Sequence, residues 1–138
     1  MTLVLQDDGL LRKMEDVRAA WNTTKLKVHL YKSNTTPTTA SVLGDFTECD
    51  FAGYAAQDIS TWGAAAVAAH VCSMVAAANT FTRSSTGAAQ NVYGVFVTNQ
   101  ASTVLYYAER DPNAPRVLTN AGDSETYTAR ITDQDLST

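Results

Sequence analysis

The first apolar pattern in the chain has the period of a helix. Over residues 7–22, Leu10, Met14, Val17 and Trp21 recur at the spacing that lines one face of a helix. Two aspartates stand at its start, where carboxylates cap a helix and meet the positive end of its dipole. An Asn-Thr-Thr sequence, which is typical of turns, follows Trp21. The pattern therefore predicts a short N-terminal helix.

The apolar stripe of this helix allows two interpretations. It can cover one end of the chain's own core, or the helix can be an arm that docks on a neighbouring subunit. In the second case Trp21 would be the anchor, because buried aromatic side chains dominate many interfaces. The basic side chains of Arg12 and Arg18 would then border the contact.

After residue 24 the apolar period changes to two, which is typical of strands. Residues 26–31 alternate, with Leu26, Val28 and Leu30 inward and His29 on the opposite face. Gly94, inside the strongest predicted strand, indicates a bulge or a close neighbour. The further predicted strands are 46–51, 58–62, 80–84, 91–98, 104–109 and 125–132.

Residues 63–78 are ambiguous. Their many alanines favour a helix over 64–78 by propensity. Val67, Ala69 and Val71 nevertheless alternate, and the neighbouring elements are all strands. We therefore predict a strand–turn–strand unit here, with the helix as the alternative.

Several short strands separated by turn residues predict a mainly β fold. The expected architecture is a single antiparallel β-sandwich, jelly-roll-like or Ig-like, with a short N-terminal helical segment. The predicted boundaries are 1–24 for the helical segment or arm and 25–138 for the sandwich. A chain of 138 residues has room for one such domain.

The charge distribution excludes some partners. The net charge is −4, and a pI near 4.9 is unsuited to collecting phosphates, so we expect no nucleic-acid binding. Residues 1–32 contain six basic and four acidic side chains, whereas the remainder contains four and ten. The longest apolar run, 64–69, is too short to span a membrane, and no signal-peptide pattern precedes the helix. We expect the protein to fold in a reducing cytoplasm and to bind no membrane.

The search for catalytic or metal chemistry is negative. The histidines, His29 and His70, and the cysteines, Cys49 and Cys72, have no spacing typical of a metal site, and we expect two reduced, partly buried thiols. No nucleophile elbow, phosphate loop or dinucleotide fingerprint is present. We therefore predict no catalytic residues, no metal, no cofactor and no enzymatic activity.

Two other groups of side chains have a structural and a functional interpretation. Asp45, Glu48 and Asp50 form a small acidic cluster, which we expect to be a solvated strand edge or loop rather than an acid/base pair. The tyrosines could include a carbohydrate platform but are more typical of core or subunit interface. They are Tyr31, Tyr54, Tyr93, Tyr106, Tyr107 and Tyr127.

Several blocks of the chain resemble a group of small virion proteins of tailed bacteriophages. Residues 26–37 read LKVHLYKSNTTP, and residues 45–55 read DFTECDFAGYA, similar to the family's D-F/Y-T-E-x-x-F-x-G-Y-A. VYGVFVT at 92–98 and LYYAER at 105–110 are similar to its two central strands, and NAGD at 120–123 to its last turn. The first two blocks together are the most specific.

The resemblance implies a capsid cement or decoration protein. Such proteins sit on the outer capsid surface in the virion and stabilise contacts between major capsid subunits, usually as homotrimers. The expected partners are the major capsid protein and further copies of this chain. The predicted partner-binding residues are the helical stripe with its two arginines and three residues of the polar loop, Thr35, Thr36 and Pro37. The alternative is a tail- or fibre-associated β-sandwich module that binds a receptor or carbohydrate.

Overall fold

A computed structural model describes residues 5–134, with the side chain of Gln134 excepted. It has a helix, α1 (Asp7–Thr23), and a 3-10 turn over Leu43–Asp45. The strands are β1 (Lys27–Tyr31), β2 (Gln57–Asp58), β3 (Ala66–Ala68), β4 (Val71–Val75), β5 (Asn79–Thr82), β6 (Gln90–Val92), β7 (Gly94–Thr98), β8 (Leu105–Arg110), β9 (Arg116–Leu118), β10 (Ser124–Tyr127) and β11 (Arg130–Gln134). All strand pairs are antiparallel. The predicted class, a mainly β, β-sandwich-like fold with an N-terminal helix, is confirmed.

The described residues divide into two compact units. Unit 1 consists of 5–25, 59–78 and 128–134, and unit 2 of 26–58 and 79–127. The predicted boundary after residue 24 falls one residue before the first crossing between the units. The crossings after residues 58 and 127 have no counterpart in the sequence pattern. Unit 1 thus combines the helix with strands from the middle and the end of the chain.

Unit 1 contains a three-stranded sheet in the order β11-β4-β3, against which α1 packs. Leu10 and Met14 of the helix and Cys72 and Met74 of β4 are buried. The strand–turn–strand prediction for 63–78 is confirmed. The turn between β3 and β4 contains Ala69 and His70, both with positive φ.

Unit 2 contains a four-stranded sheet in the order β2-β1-β7-β8 and two smaller strand pairs, β10-β5 and β6-β9. β1 lies inside the sheet, between β2 and β7, and both of its faces are covered. Val28 and Leu30 are buried on one face, and His29 and Tyr31 on the other. Tyr31 packs with Phe46 and Phe96 in a core cluster.

Four strand predictions are wrong in detail. Within the predicted 58–62 strand, only Asp58 belongs to a strand, β2, and Trp62 makes an isolated bridge to Ala76. The predicted 125–132 strand ends as β10 at Tyr127 and resumes as β11 in another sheet. The 46–51 segment is no strand, and its backbone makes a single bridge to β1, between Glu48 and Tyr31. Its buried residues, Phe46, Cys49 and Phe51, do not keep a period of two, so side chains rather than a ladder attach it. The predicted 91–98 strand is two strands that separate at Tyr93 and pair with different partners, β9 and β8.

Candidate functional site

The 45–55 block, which contributes most to the resemblance, is attached to β1 in unit 2 by hydrogen bonds and aromatic contacts. Asp45 Oδ2 accepts a hydrogen bond from the amide of Val42 at 2.9 Å. The ring of Phe46 lies 5.1 Å from that of Tyr31 and 5.5 Å from that of Phe96. These contacts hold the 3-10 turn and the following segment on β1. The block therefore specifies a local fold.

Gly53 and Tyr54 complete the block. Gly53 has a φ of +84°, and a Cβ there would lie 2.9 Å from Ser84 Cβ, so only glycine fits without strain. The Tyr54 hydroxyl accepts from the amide of Leu30 at 3.0 Å and donates to Glu48 Oε1 at 2.7 Å. Burial, followed by the bond to Glu48, raises the pKa of Tyr54. Tyr54 therefore remains a hydrogen-bond donor at physiological pH.

Glu48 also contacts the buried His29. The His29 side chain is 3 % exposed and stacks on Phe96 at 4.5 Å between ring centroids. Its Nδ1 lies 2.8 Å from Glu48 Oε1, and its Nε2 lies 2.9 Å from Thr98 Oγ1. Sequence analysis missed this constellation because Glu48 and Thr98 are 19 and 69 residues from His29. Glu48 belongs to the predicted acidic cluster, whose three members are all exposed as expected of a solvated loop.

The order Thr98–His29–Glu48 has the hydrogen-bond sequence of a nucleophilic triad. A nucleophile must reach substrate, however, and Thr98 is completely buried. Its hydroxyl also lies 2.9 Å from the carbonyl oxygen of Asn99. The arrangement is therefore suited to fixing strands and not to attacking a substrate.

Of the three predicted loop residues, Pro37 lines a groove on unit 2. The groove, of about 510 Å³, lies between Pro37–Ser41 on the loop and Leu105–Ala108 on β8. Thr36 is exposed, whereas Thr35 and Pro37 are half-buried. No charged residue lines it. We call this groove, together with Val42 and Val104, the chain neighbours of its lining residues Ser41 and Leu105, the β8 surface.

Arg110 holds the loop at one end of the β8 surface. Its Nη1 donates to the carbonyl of Thr35 at 3.1 Å, and its Nη2 donates to Asn34 Oδ1 at 2.8 Å. The guanidinium also lies over the ring of Tyr93, 5.2 Å from the centroid. The loop is therefore attached to β8 by side-chain contacts, although its sequence is polar.

A bulge in β8 places two tyrosines side by side. Val97 pairs with Tyr107 and Thr98 with Leu105, so Tyr106 is an extra residue in the strand. Successive side chains of a regular strand point to opposite faces. Here the rings of Tyr106 and Tyr107 stack with centroids 6.4 Å apart, and they are 48 % and 39 % exposed. The sequence offered no signal for this bulge.

The apolar stripe of α1 lies in unit 1. Leu10 and Met14 are buried in the core, the alternative that the sequence left open. Val17 and Trp21 are half-buried, and the Trp21 ring lies 5.4 Å from that of the buried Trp62. The two core residues are therefore not accessible to a partner in this structure.

The two predicted arginines of the helix differ. Arg18 donates from Nε to the carbonyl of Trp62 at 3.1 Å and from Nη1 to Glu15 at 2.8 Å. Glu15 accepts a bond from the amide of Ala65 at 2.7 Å, and this bond, helped by Arg18, lowers the pKa of Glu15. Arg18 is thus used within unit 1, whereas Arg12 is exposed.

A cavity of about 140 Å³ in unit 2 is bordered by carboxylates. Burial raises the pKa of Glu125, and the guanidinium of Arg116, 3.5 Å away, opposes this shift. Burial, together with the nearby Glu109, raises the pKa of Tyr127 to about 12. With Asp111 also in the lining, the cavity is unsuited to an anionic ligand.

The described residues contain no group of three or more histidine, cysteine and acidic side chains placed to hold a metal ion. Within the same range, no helix has the length and apolarity that a bilayer requires. Cys49 and Cys72 are buried free thiols in different units.

Comparison with known proteins adds no identification: no family model, curated protein or solved structure matches the chain.

Proposed function

We propose that the chain is a bacteriophage head protein, a capsid cement or decoration protein that binds the outer capsid surface and stabilises contacts between major capsid subunits. The role is structural rather than enzymatic. The basis is the resemblance of residues 26–37 and 45–55 to tailed-phage virion proteins, together with the surface that these blocks support.

The observation that carries the proposal is the β8 surface. It combines an uncharged groove with exposed apolar side chains, Val42 at 61 % and Val104 at 50 %. β8 pairs only with β7 within the described sheet, so it stands at the sheet edge. Edge strands present backbone donors and acceptors to an incoming chain. Such a surface fits an extended, uncharged segment of the major capsid protein.

A cement protein acts through repetition. Each contact can be modest, because many equivalent copies around a closed shell resist internal pressure together. Within this proposal the chain is a homotrimer, and each trimer would make three contacts with the capsid. Light scattering on the purified protein tests the trimer directly, and a monomer at micromolar concentration would contradict that part of the proposal.

The copy number of the chain in purified virions tests the function. We expect hundreds of copies per particle, in a fixed ratio to the major capsid protein. A few copies per particle would instead indicate a tail or fibre protein.

A matched pair of variants tests the surface. Val104 and Val117 are exposed to similar extents, 50 % and 54 %, but only Val104 is the chain neighbour of a residue that lines the groove, Leu105. We expect Val104→Ser to weaken binding to capsids that lack the protein by roughly 5- to 30-fold, or about 1–2 kcal/mol of lost apolar contact. Val117→Ser should bind as the unaltered protein does. Equal effects of the two changes would exclude this surface.

The alternative is a tail- or fibre-associated module that binds a receptor or carbohydrate. Its support is the exposed stack of Tyr106 and Tyr107, since tyrosine rings pack against the apolar faces of sugars and offer hydroxyls. Sugar-dependent changes in tyrosine fluorescence that Tyr106→Ser abolishes would favour this function over capsid binding.

A further inference from the structure

The single hydroxyl proton of Thr98 has two acceptors. Thr98 Oγ1 lies 2.9 Å from the carbonyl oxygen of Asn99 and 2.9 Å from His29 Nε2. A threonine hydroxyl donates one hydrogen bond at a time, so only one of these atoms can receive the proton. The protonation of His29 decides which one.

Glu48 determines the tautomer of neutral His29. Glu48 Oε1 already accepts from the Tyr54 hydroxyl at 2.7 Å, and an ionised carboxylate has no proton to donate. The imidazole nitrogen 2.8 Å from it, Nδ1, must therefore carry hydrogen. Neutral His29 then has a lone pair at Nε2, which accepts the Thr98 hydroxyl proton.

When His29 gains a second proton, Nε2 becomes a donor. It then donates to Thr98 Oγ1, and the hydroxyl proton turns to the carbonyl of Asn99. Because both distances are 2.9 Å, no heavy atom has to move.

The charged and titratable groups around His29 are few. Glu48 and Tyr54 face it from the 46–54 segment, and Thr98 and Phe96 face it from β7. On the same face of the sheet, Lys27 pairs with Thr98 on one side and with Asp58 on the other. Leu105 and Ala108, opposite Thr98 and Phe96 on β8, carry no charge.

The carbonyl of Asn99 takes part in the hydrogen bonds that close the β7–β8 turn. It accepts the amide of Ser102 at 3.0 Å, and the Asn99 side chain accepts the amides of Thr103 and Val104 at 2.8 and 3.0 Å. Ser102 has a φ of +57°, which is uncommon for a residue with a side chain. A second donor on the Asn99 carbonyl, the hydroxyl of Thr98 at the end of β7, would add a hydrogen bond at the start of this turn.

We propose that His29 is a proton-operated switch for the β7–β8 turn: protonation redirects the Thr98 hydroxyl to the Asn99 carbonyl and so adds a hydrogen bond at the start of the turn. The switch lies directly before Val104 and β8. It operates in the free protein and does not depend on capsid binding.

Nitrogen NMR of the full chain over a pH titration tests the switch. The chain has two histidines, so His70→Gln assigns the signals. Neutral His29 should be the Nδ1–H tautomer. As His29 protonates, the amides of Ser102 and Val104 should exchange about 3- to 10-fold more slowly after correction for intrinsic pH dependence, the range expected for one added neutral hydrogen bond.

Thr98→Val keeps the shape of the side chain and removes the hydroxyl. In this variant the protection of the turn should no longer follow His29 protonation. Thr126→Val, which removes a threonine hydroxyl from β10, should leave the response unchanged. An Nε2–H tautomer for neutral His29, or an equal response in Thr98→Val, would overturn the proposal.

If the Thr98→Val variant does not fold, a second measurement still tests the switch. In the unaltered protein, the three-bond coupling between the Thr98 hydroxyl proton and Hβ reports the direction of the hydroxyl. This coupling should change as His29 protonates, and a constant value would refute the switch.

Discussion

Gly94 lies directly against Tyr31. A Cβ at position 94 would stand 2.7 Å from the Tyr31 hydroxyl and 2.9 Å from Arg110 Cα, and it would be still closer to the carbonyl oxygen of Glu109. The close neighbour predicted from a glycine inside a strand is therefore confirmed. Gly94 has the backbone of β8 on one side and the buried ring of Tyr31 on the other.

Gly94→Ala should destabilise the protein by about 1–3 kcal/mol, the usual cost of overpacking a core. Neither a carbonyl oxygen in a sheet nor a buried ring can move aside cheaply. Denaturant unfolding measures the change, and Gly44→Ala is the control, since nothing lies within 4 Å of a Cβ there. Equal stability of the two variants would show that β7 and β8 lie further apart than described.

Alternation and propensity predicted which segments form strands and helix better than they predicted which segments pack together. The strand–turn–strand unit at 63–78 followed from alternation despite its alanines. Its turn could not be foreseen, because Ala69 and His70 rarely adopt positive φ. The burial of His29 was also outside the pattern, since local alternation shows only one apolar face of β1. Its second face is covered by residues distant in sequence, Phe96 and Thr98 among them.

Leu10→Ala should lower the free energy of unfolding by about 2–5 kcal/mol, because a buried leucine leaves a cavity when truncated. Leu10 is 1 % exposed on α1, which packs against β3, β4 and β11. Calorimetry or denaturant unfolding measures the loss. Arg12→Ala, on the exposed side of the same helix, should change the free energy of unfolding little.

Deleting residues 1–22 should prevent unit 1 from folding, because the deletion removes the buried Leu10 and Met14. A truncated protein that folds but no longer decorates capsids would instead support the docking arm.

Both cysteines should be unreactive in the folded protein. Burial raises the pKa of Cys49 to about 12 and also raises the pKa of Cys72, to which Asp133 and Glu15 contribute. The thiolate is the reactive form, so a thiol reagent at pH 8 should label neither residue in the native state and both after unfolding.

Reducing agent should leave the melting temperature of the protein unchanged, because both cysteines are free thiols. A drop of several degrees on reduction would reveal a disulfide that the structure does not contain.

Asp123 should make part of the stability sensitive to acid. Its Oδ2 accepts from the amides of Thr119 and Asn120, each at 2.7 Å, and these bonds lower the pKa of Asp123. A carboxyl whose folded pKa lies below its unfolded value stabilises the fold above the unfolded pKa, near 3.9. That stabilisation is lost as the pH falls through the folded pKa. Asp123→Asn should therefore lower the melting temperature at pH 7, and the difference from the unaltered protein should shrink below about pH 4.

The control for this prediction is Asp16→Asn, on the exposed face of α1. It removes the same charge without removing a bond to the 119–123 turn, so general charge repulsion is separated from the turn itself. Thermal melts of the three proteins between pH 3 and 7 suffice. If Asp123→Asn and Asp16→Asn shift the melting temperature alike at every pH, the two amide bonds contribute nothing, and the turn is held by its other hydrogen bonds, among them the backbone bonds of Arg83 to Gly122 and Asp123.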